Sequence, residues 1–109
     1  ASWQGACNDT HMAAAATSAY KMINAVGSLS DKLRLGRYSY VTKSRLLRDI
    51  QEMGPIAAST IIHVGEAYLD KGCKAEAQIV FRNALEGLSG SAYENYRQRA
   101  VIGLTQVAQ

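Results

Sequence analysis

The sequence predicts an all-α fold, an antiparallel bundle of about five helices, and three observations carry that expectation. Apolar residues recur at three- and four-residue steps along most of the chain, with no sustained alternation of the kind a strand would show. Nine Gly and a single Pro fall mainly where those periodic segments stop, and runs of Val, Ile or Thr are few beside the Ala-rich and Leu-rich stretches. A length of 109 residues with 48% hydrophobic and 19% charged side chains suits one folded domain around one core.

The elements follow in order, as an N-terminal arm over 1–9, a helical pair over 10–53, a hairpin over 55–87 and a closing helix over 91–108. Asp9 and Thr10 can cap a first helix starting near His11, because their side-chain oxygens can accept from its free backbone amides. Met12, Ala16, Ala19, Tyr20, Ile23, Val26 and Gly27 then form one stripe, which Leu33 extends. Gly36-Arg37-Tyr38-Ser39 reads as a break. A second helix presents Tyr40, Ser44, Leu47 and Ile50 and is expected to end near Met53, with Gly54 as its stop. Pro55 suits the first turn of a third helix, where its missing N–H has no partner to lose. That helix runs to about Lys71, Gly72 ends it, and a fourth begins at Lys74 or Ala75 and stops across Gly87–Gly90. Ser91 opens the last helix, in which Tyr93, Tyr96, Ala100, Gly103, Leu104 and Val107 share one side.

The hairpin organises the rest. Small residues Gly65, Ala77 and Ala84 fall where two facing helices come closest, and the large Tyr68 and Phe81 fill the gaps between them. This set resembles the tetratricopeptide repeat, whose signature pairs a small residue and a tyrosine on one helix with Ala, Phe and Ala on the next. Ile61 stands where the family often has Trp, and Ser89 where it often has Pro. The resemblance covers about one repeat, against the three or so that the family usually stacks. It implies protein binding, with the third helix lining a concave groove and turning Ser59, Ile62, Glu66, Leu69 and Asp70 toward a ligand. Family members that grip a terminal carboxylate use Lys and Asn there, whereas this chain has Ile62 and Glu66, so that function is not expected. Burial of Ile62 and Leu69 against the first helix stays open as the other reading.

Cys7 and Cys73 both lie in connecting segments, and a disulfide between them is expected, pinning the N-terminal arm to the hairpin turn in an oxidising compartment. The alternative is two unrelated thiols in a cytosolic protein. Ala1-Ser2 fits a mature end left by signal cleavage behind a small residue, and equally a cloning remnant ending in His11-Met12. Lys, Arg, Asp or Glu interrupts every apolar run short of the roughly 18 residues that cross a bilayer, so no membrane span is expected. Asn8-Asp9-Thr10 matches a glycosylation acceptor, a triplet common by chance.

Reaction chemistry is sparse. His11 and His63 do not pair in sequence, no Ser or Thr sits on a Gly-flanked elbow, and no cluster has metal-ligand spacing. Asp49 with Glu52, and Glu66 with Asp70, read as solvated helical surfaces. Neither catalysis nor a cofactor nor a metal is therefore expected. The main rival signal is a basic patch of Lys32, Arg34, Arg37, Lys43, Arg45 and Arg48 around the first break, with Tyr38 and Tyr40 among them. It accounts for the net charge of +3 and suits phosphates and unpaired bases, an acidic protein surface, or solvent alone.

Taken together, these residues favour a non-enzymatic protein-protein interaction module, periplasmic or secreted, serving an envelope or secretion assembly. Two alternatives are a periplasmic immunity or inhibitor protein that neutralises a toxin, and a basic nucleic-acid-binding helical domain. A homo-oligomer is a further possibility, since a single repeat leaves apolar edges that a second copy covers. A cytoplasmic setting stays open.

Overall fold

A computed structural model describes residues 7–109 of the chain. Four α-helices account for most of it: α1 (Thr10–Leu35), α2 (Tyr40–Asp70), α3 (Lys74–Gly87) and α4 (Glu94–Ala108), with a 3-10 turn at Ser91–Tyr93 before α4. There is no β-strand among the described residues. All but the last three residues of the N-terminal arm expected over 1–9 lie outside the described part.

Asp9 is the N-cap of α1, its carboxylate accepting from the backbone N–H groups of His11 at 2.8 Å and Met12 at 3.2 Å. Thr10 is the first helical residue and not a second cap. Ala16, Ala19, Ile23 and Val26 are buried along the expected stripe, whereas Gly27 is exposed. The helix stops at Gly36, and the Ser39 hydroxyl caps α2 by accepting from Thr42 N–H at 3.3 Å.

Two helices expected on either side of Gly54-Pro55 are a single helix, α2, which runs 31 residues with Pro55 inside it. Proline removes one i→i−4 hydrogen bond from a helix interior, but one missing bond is tolerated where tertiary packing holds both sides. Packing explains Gly54 as well. Its Cα is buried beneath Tyr93, and a side chain there would occupy the space of the Tyr93 hydroxyl. Gly54 is thus a site of close approach, not a stop.

The α2–α3 turn is closed by a Schellman arrangement. Cys73 N–H donates to Tyr68 C=O at 2.8 Å and Gly72 N–H to Leu69 C=O at 2.9 Å, with Gly72 at φ 78°. That left-handed conformation satisfies the last carbonyls of α2 and turns the chain back within two residues. Cys73 is buried and joined to Cys7, their Cα atoms 5.5 Å apart. The α3–α4 connection buries Leu88 and is tied by Arg97, whose guanidinium donates to the carbonyls of Leu88 at 3.4 Å and Gly90 at 2.5 Å.

At the centre lies Phe81 of α3, which has no exposed surface. Its ring fits between two helix backbones: a Cβ on Gly65 of α2 would lie 2.6 Å from it, and a Cβ on Gly103 of α4 would overlap it. Tyr68, Ala77, Val80 and Ala84 are buried around it, as the notched hairpin pattern leads one to expect. Ile61, Ile62, Ala57 and Ala58 of α2 join the same core with the inner face of α1.

The arms differ in length. At about 1.5 Å per residue α1 and α2 are roughly twice as long as α3 and α4, and the buried residues of α1 stop at Val26 while those of α2 begin at Gly54. The outer part of the α1–α2 hairpin therefore projects beyond the core as a two-helix arm. The molecule measures 58 × 25 × 17 Å, with a radius of gyration of 15.7 Å, above the roughly 13 Å of a compact domain this size.

Replacing Gly103 with Ala improves helix propensity by about 1 kcal/mol but drives a methyl into the Phe81 ring, and overpacking of this kind costs about 1–3 kcal/mol. Urea denaturation should show Gly103→Ala less stable than the parent and Phe81→Ala less stable by about 3–5 kcal/mol; an alanine variant at 103 as stable as the parent would rule out the wedged ring. The Cys7–Cys73 bond spans 66 residues, so the paired Cys7→Ala/Cys73→Ala variant should lose about 4 kcal/mol in the chain-entropy account, with dithiothreitol producing the same loss in the parent alone.

Candidate functional site

The face expected to meet a ligand is largely occupied by the protein itself. Ile62 has no exposed surface and belongs to the core, while Ser59 and Leu69 are half-buried. The Glu66 carboxylate receives two hydrogen bonds from the Arg99 guanidinium of α4, at 3.2 Å from Nε and 2.5 Å from a terminal nitrogen. This fork holds the Arg99 pKa above its ordinary value, chiefly through the hydrogen bond to Glu66. Of the five residues only Asp70 is fully open. The groove implied by the repeat resemblance is corrected accordingly: α4 folds against this side of α2, and Ile62 turns inward because an apolar side chain there completes the core. Both groups of the ion pair are about 39% exposed, so solvent screening leaves it worth no more than about 1 kcal/mol.

Two other surfaces carry uncovered apolar side chains. Along the outer side of α3 and α4, Leu85, Val101 and Ile102 line a shallow groove of about 430 Å³ edged by Glu94, Arg97 and Gln98. Val101 and Ile102 are half exposed or more, and Ile79 stands open on the outer side of α3. Sequence periodicity singled out none of these four, because they lie off the stripes that build the core. Their signal was present only as apolar residues at positions facing away from those stripes.

The second surface is the projecting arm. Lys32, Arg34, Arg37, Lys43, Arg45 and Arg48 are all exposed there, as the basic run suggested. Of the expected face of Tyr40, Ser44, Leu47 and Ile50, the first three face solvent, with Tyr40 85% exposed, and Ile50 is half-buried against the core. The half-buried residues of this segment are Leu46, Asp49, Ile50 and Met53, of which Ile50 and Met53 pack against the core. The segment is continuous with the buried part of α2 beyond Gly54, so the side it turns inward is tied to the packing of that part.

Groups with reaction chemistry are scattered. The hydroxyl of Ser59 and Nδ1 of His63 share a hydrogen bond of 3.2 Å one helical turn apart, but no carboxylate among the described residues bonds that histidine. His11 is exposed at the start of α1. Cys7, Cys73 and Glu76 converge within 4.8 Å, yet both sulfurs are consumed by the disulfide, which leaves one carboxylate for any ion. No helix among the described residues is long and apolar enough to cross a membrane.

No protein-family model, no curated protein and no solved structure matches the chain. What the protein does is therefore argued from these surfaces.

Beside the disulfide, Asp9 joins the N-terminus to the hairpin turn a second time, its carboxylate 3.4 Å from the Lys71 ammonium. The backbone N–H groups of Met12 and then His11 hold its pKa below the ordinary value; burial opposes them, and Lys71 adds a lesser lowering. A carboxylate with a lowered folded-state pKa binds its proton less readily folded than unfolded, so its contribution is present above the unfolded value and fades as pH falls through the folded one. Thermal melts of Asp9→Ala should show lower stability at neutral pH and a shallower decline below about pH 4 than the parent; parallel declines would mean that the cap is not what titrates.

Proposed function

We propose that this chain is a non-catalytic interaction module that holds another protein along the outer groove of α3 and α4. The observation that carries the reading is the line of uncovered apolar side chains at Leu85, Val101 and Ile102 beside a polar rim of Glu94, Arg97 and Gln98. An apolar strip of that width with charged edges suits the apolar face of an amphipathic helix, the mode in which anchors at three- and four-residue steps enter a shallow trough. The burial of Gly65, Tyr68, Ala77, Phe81 and Ala84 supports reading the α2–α3 hairpin as tetratricopeptide-like, and in that reading α4 presents the side on which a further helix would stack.

The Cys7–Cys73 bond supports an oxidising location, and a bacterial periplasm or the extracellular space is the setting proposed, with service to an envelope or secretion assembly as the role. Closing so long a loop lets a small core carry a projecting arm without unfolding.

The test is a paired Val101→Asp/Ile102→Asp substitution. Both positions are open to solvent, so helix content and melting temperature should stay near those of the parent. Capture of the partner from an oxidised envelope extract should fall at least about tenfold, since two anchors worth about 1 kcal/mol or more each are removed. Light scattering at the same concentrations identifies a second copy of the chain as the occupant if the parent dimerises and the variant does not. Unchanged capture together with an unchanged monomer would remove the groove from consideration.

A further inference from the structure

The projecting arm is a surface of a different kind, and the geometry points to its docking end-first on an anionic lipid bilayer. Three features of the arm converge on that partner. The first is charge: half of the twelve Lys and Arg side chains of the protein stand between 32 and 48. Three acids share the arm: Asp31 is held by Arg34 at 3.0 Å, Asp49 is half-buried and Glu52 is exposed. The remaining six acids balance the remaining six bases, so the whole positive excess of +3 resides at this end. Such a dipolar molecule turns its arm toward any negatively charged surface before contact.

The second is the apolar content at the same end. Leu35 is 70% exposed, Val41 68% and Tyr40 85%, with Leu47 and Tyr38 also open. Tyr40, Val41 and Leu47 are interspersed on α2 with Lys43, Arg45 and Arg48, and Leu35 and Tyr38 lie next to Arg34 and Arg37 in the chain, so every aliphatic or aromatic group has a cation close by in sequence. A bilayer interface accepts both: acyl chains take the leucine and valine, the headgroup region takes tyrosine rings, and long basic side chains extend to the phosphates. Nucleic acid would use the cations and the tyrosines but offers nothing to Leu35, Val41 or Leu47.

The third is shape. Around Tyr40, Val41, Ser44, Arg45 and Arg48 the surface has a depression of about 250 Å³, smaller than the 430 Å³ groove of α3 and α4, and it lies on an arm projecting from a molecule 58 Å long. An outlying end carrying flexible cations can meet an extended surface without obstruction from the body of the protein. Docking through the arm leaves the outer groove of α3 and α4 free, so it does not depend on that groove holding a protein.

Flotation with lipid vesicles tests the inference on the full, oxidised chain. Vesicles of phosphatidylcholine with one-quarter phosphatidylglycerol should carry the protein, pure phosphatidylcholine should not, and binding should weaken as salt rises. Each basic residue near an anionic surface is worth about a fivefold change in binding, so Lys43→Gln/Arg45→Gln/Arg48→Gln should lose on the order of 100-fold. Tyr40→Ser/Leu47→Ser should keep weak binding at low salt and lose it at physiological ionic strength. All five positions are exposed, and circular dichroism confirms that the variants fold. Absence of binding to the charged vesicles, or equal binding to both vesicle types, would overturn the inference. So would tighter binding to a labelled single-stranded oligonucleotide that Tyr40→Ser/Leu47→Ser leaves unchanged, which would assign the arm to nucleic acid.

Discussion

The architecture depends on one ring between two glycines. Among the described residues Phe81 is the largest side chain with no exposure, and it reaches both α2 and α4 because Gly65 and Gly103 place bare backbone where any other residue would place a Cβ. Glycine in a helix interior costs about 1 kcal/mol relative to alanine, and two such positions facing one aromatic ring mark a place where close packing outweighs propensity. Fixing α3 between these helices also fixes the Glu66–Arg99 fork, since that pair forms only when α4 lies along α2.

Unequal helix lengths then divide the molecule into a packed body and a projecting arm. Among the described residues no charged side chain is buried in the body, so its interior provides cohesion and leaves charge to the surface. The arm has a two-helix seam and little else, with Leu46 and Ile50 half-buried and the cations outside. A hairpin of this form is weakly stable alone in water, because most helical stability comes from tertiary packing of an amphipathic face. It is held here because each of its helices continues into the core.

Continuity into the core has to be anchored at the other end as well. There the disulfide from Cys7 to Cys73, the Asp9 cap and the Asp9–Lys71 pair gather the start of α1 onto the α2–α3 turn. One covalent link and two polar interactions at this corner thus tie the start of α1 to the end of α2, at the far end of the molecule from the arm. Desolvation raises the pKa of Tyr68 beside this corner, with the Glu76 and Asp9 carboxylates adding to it, which keeps the phenol neutral where it packs.

The sequence by itself determined the helical class, the breaks at Gly36–Ser39, Gly72 and Gly87–Gly90, the inner stripe of α1, the Cys7–Cys73 pairing and the notched seam of Tyr68 and Phe81. Those features are local, or follow from residue size at fixed spacing, and the chain has only two cysteines to join. Tertiary structure alone decided that α2 passes through Pro55, because Gly54 is needed under Tyr93 from a distant part of the chain. It also decided that Ile62 is core and that Tyr40 and Leu47 face outward. Periodicity shows that a helix has an apolar side, but which neighbour covers that side, and how far along the rod the cover extends, depends on the lengths and placement of the other helices.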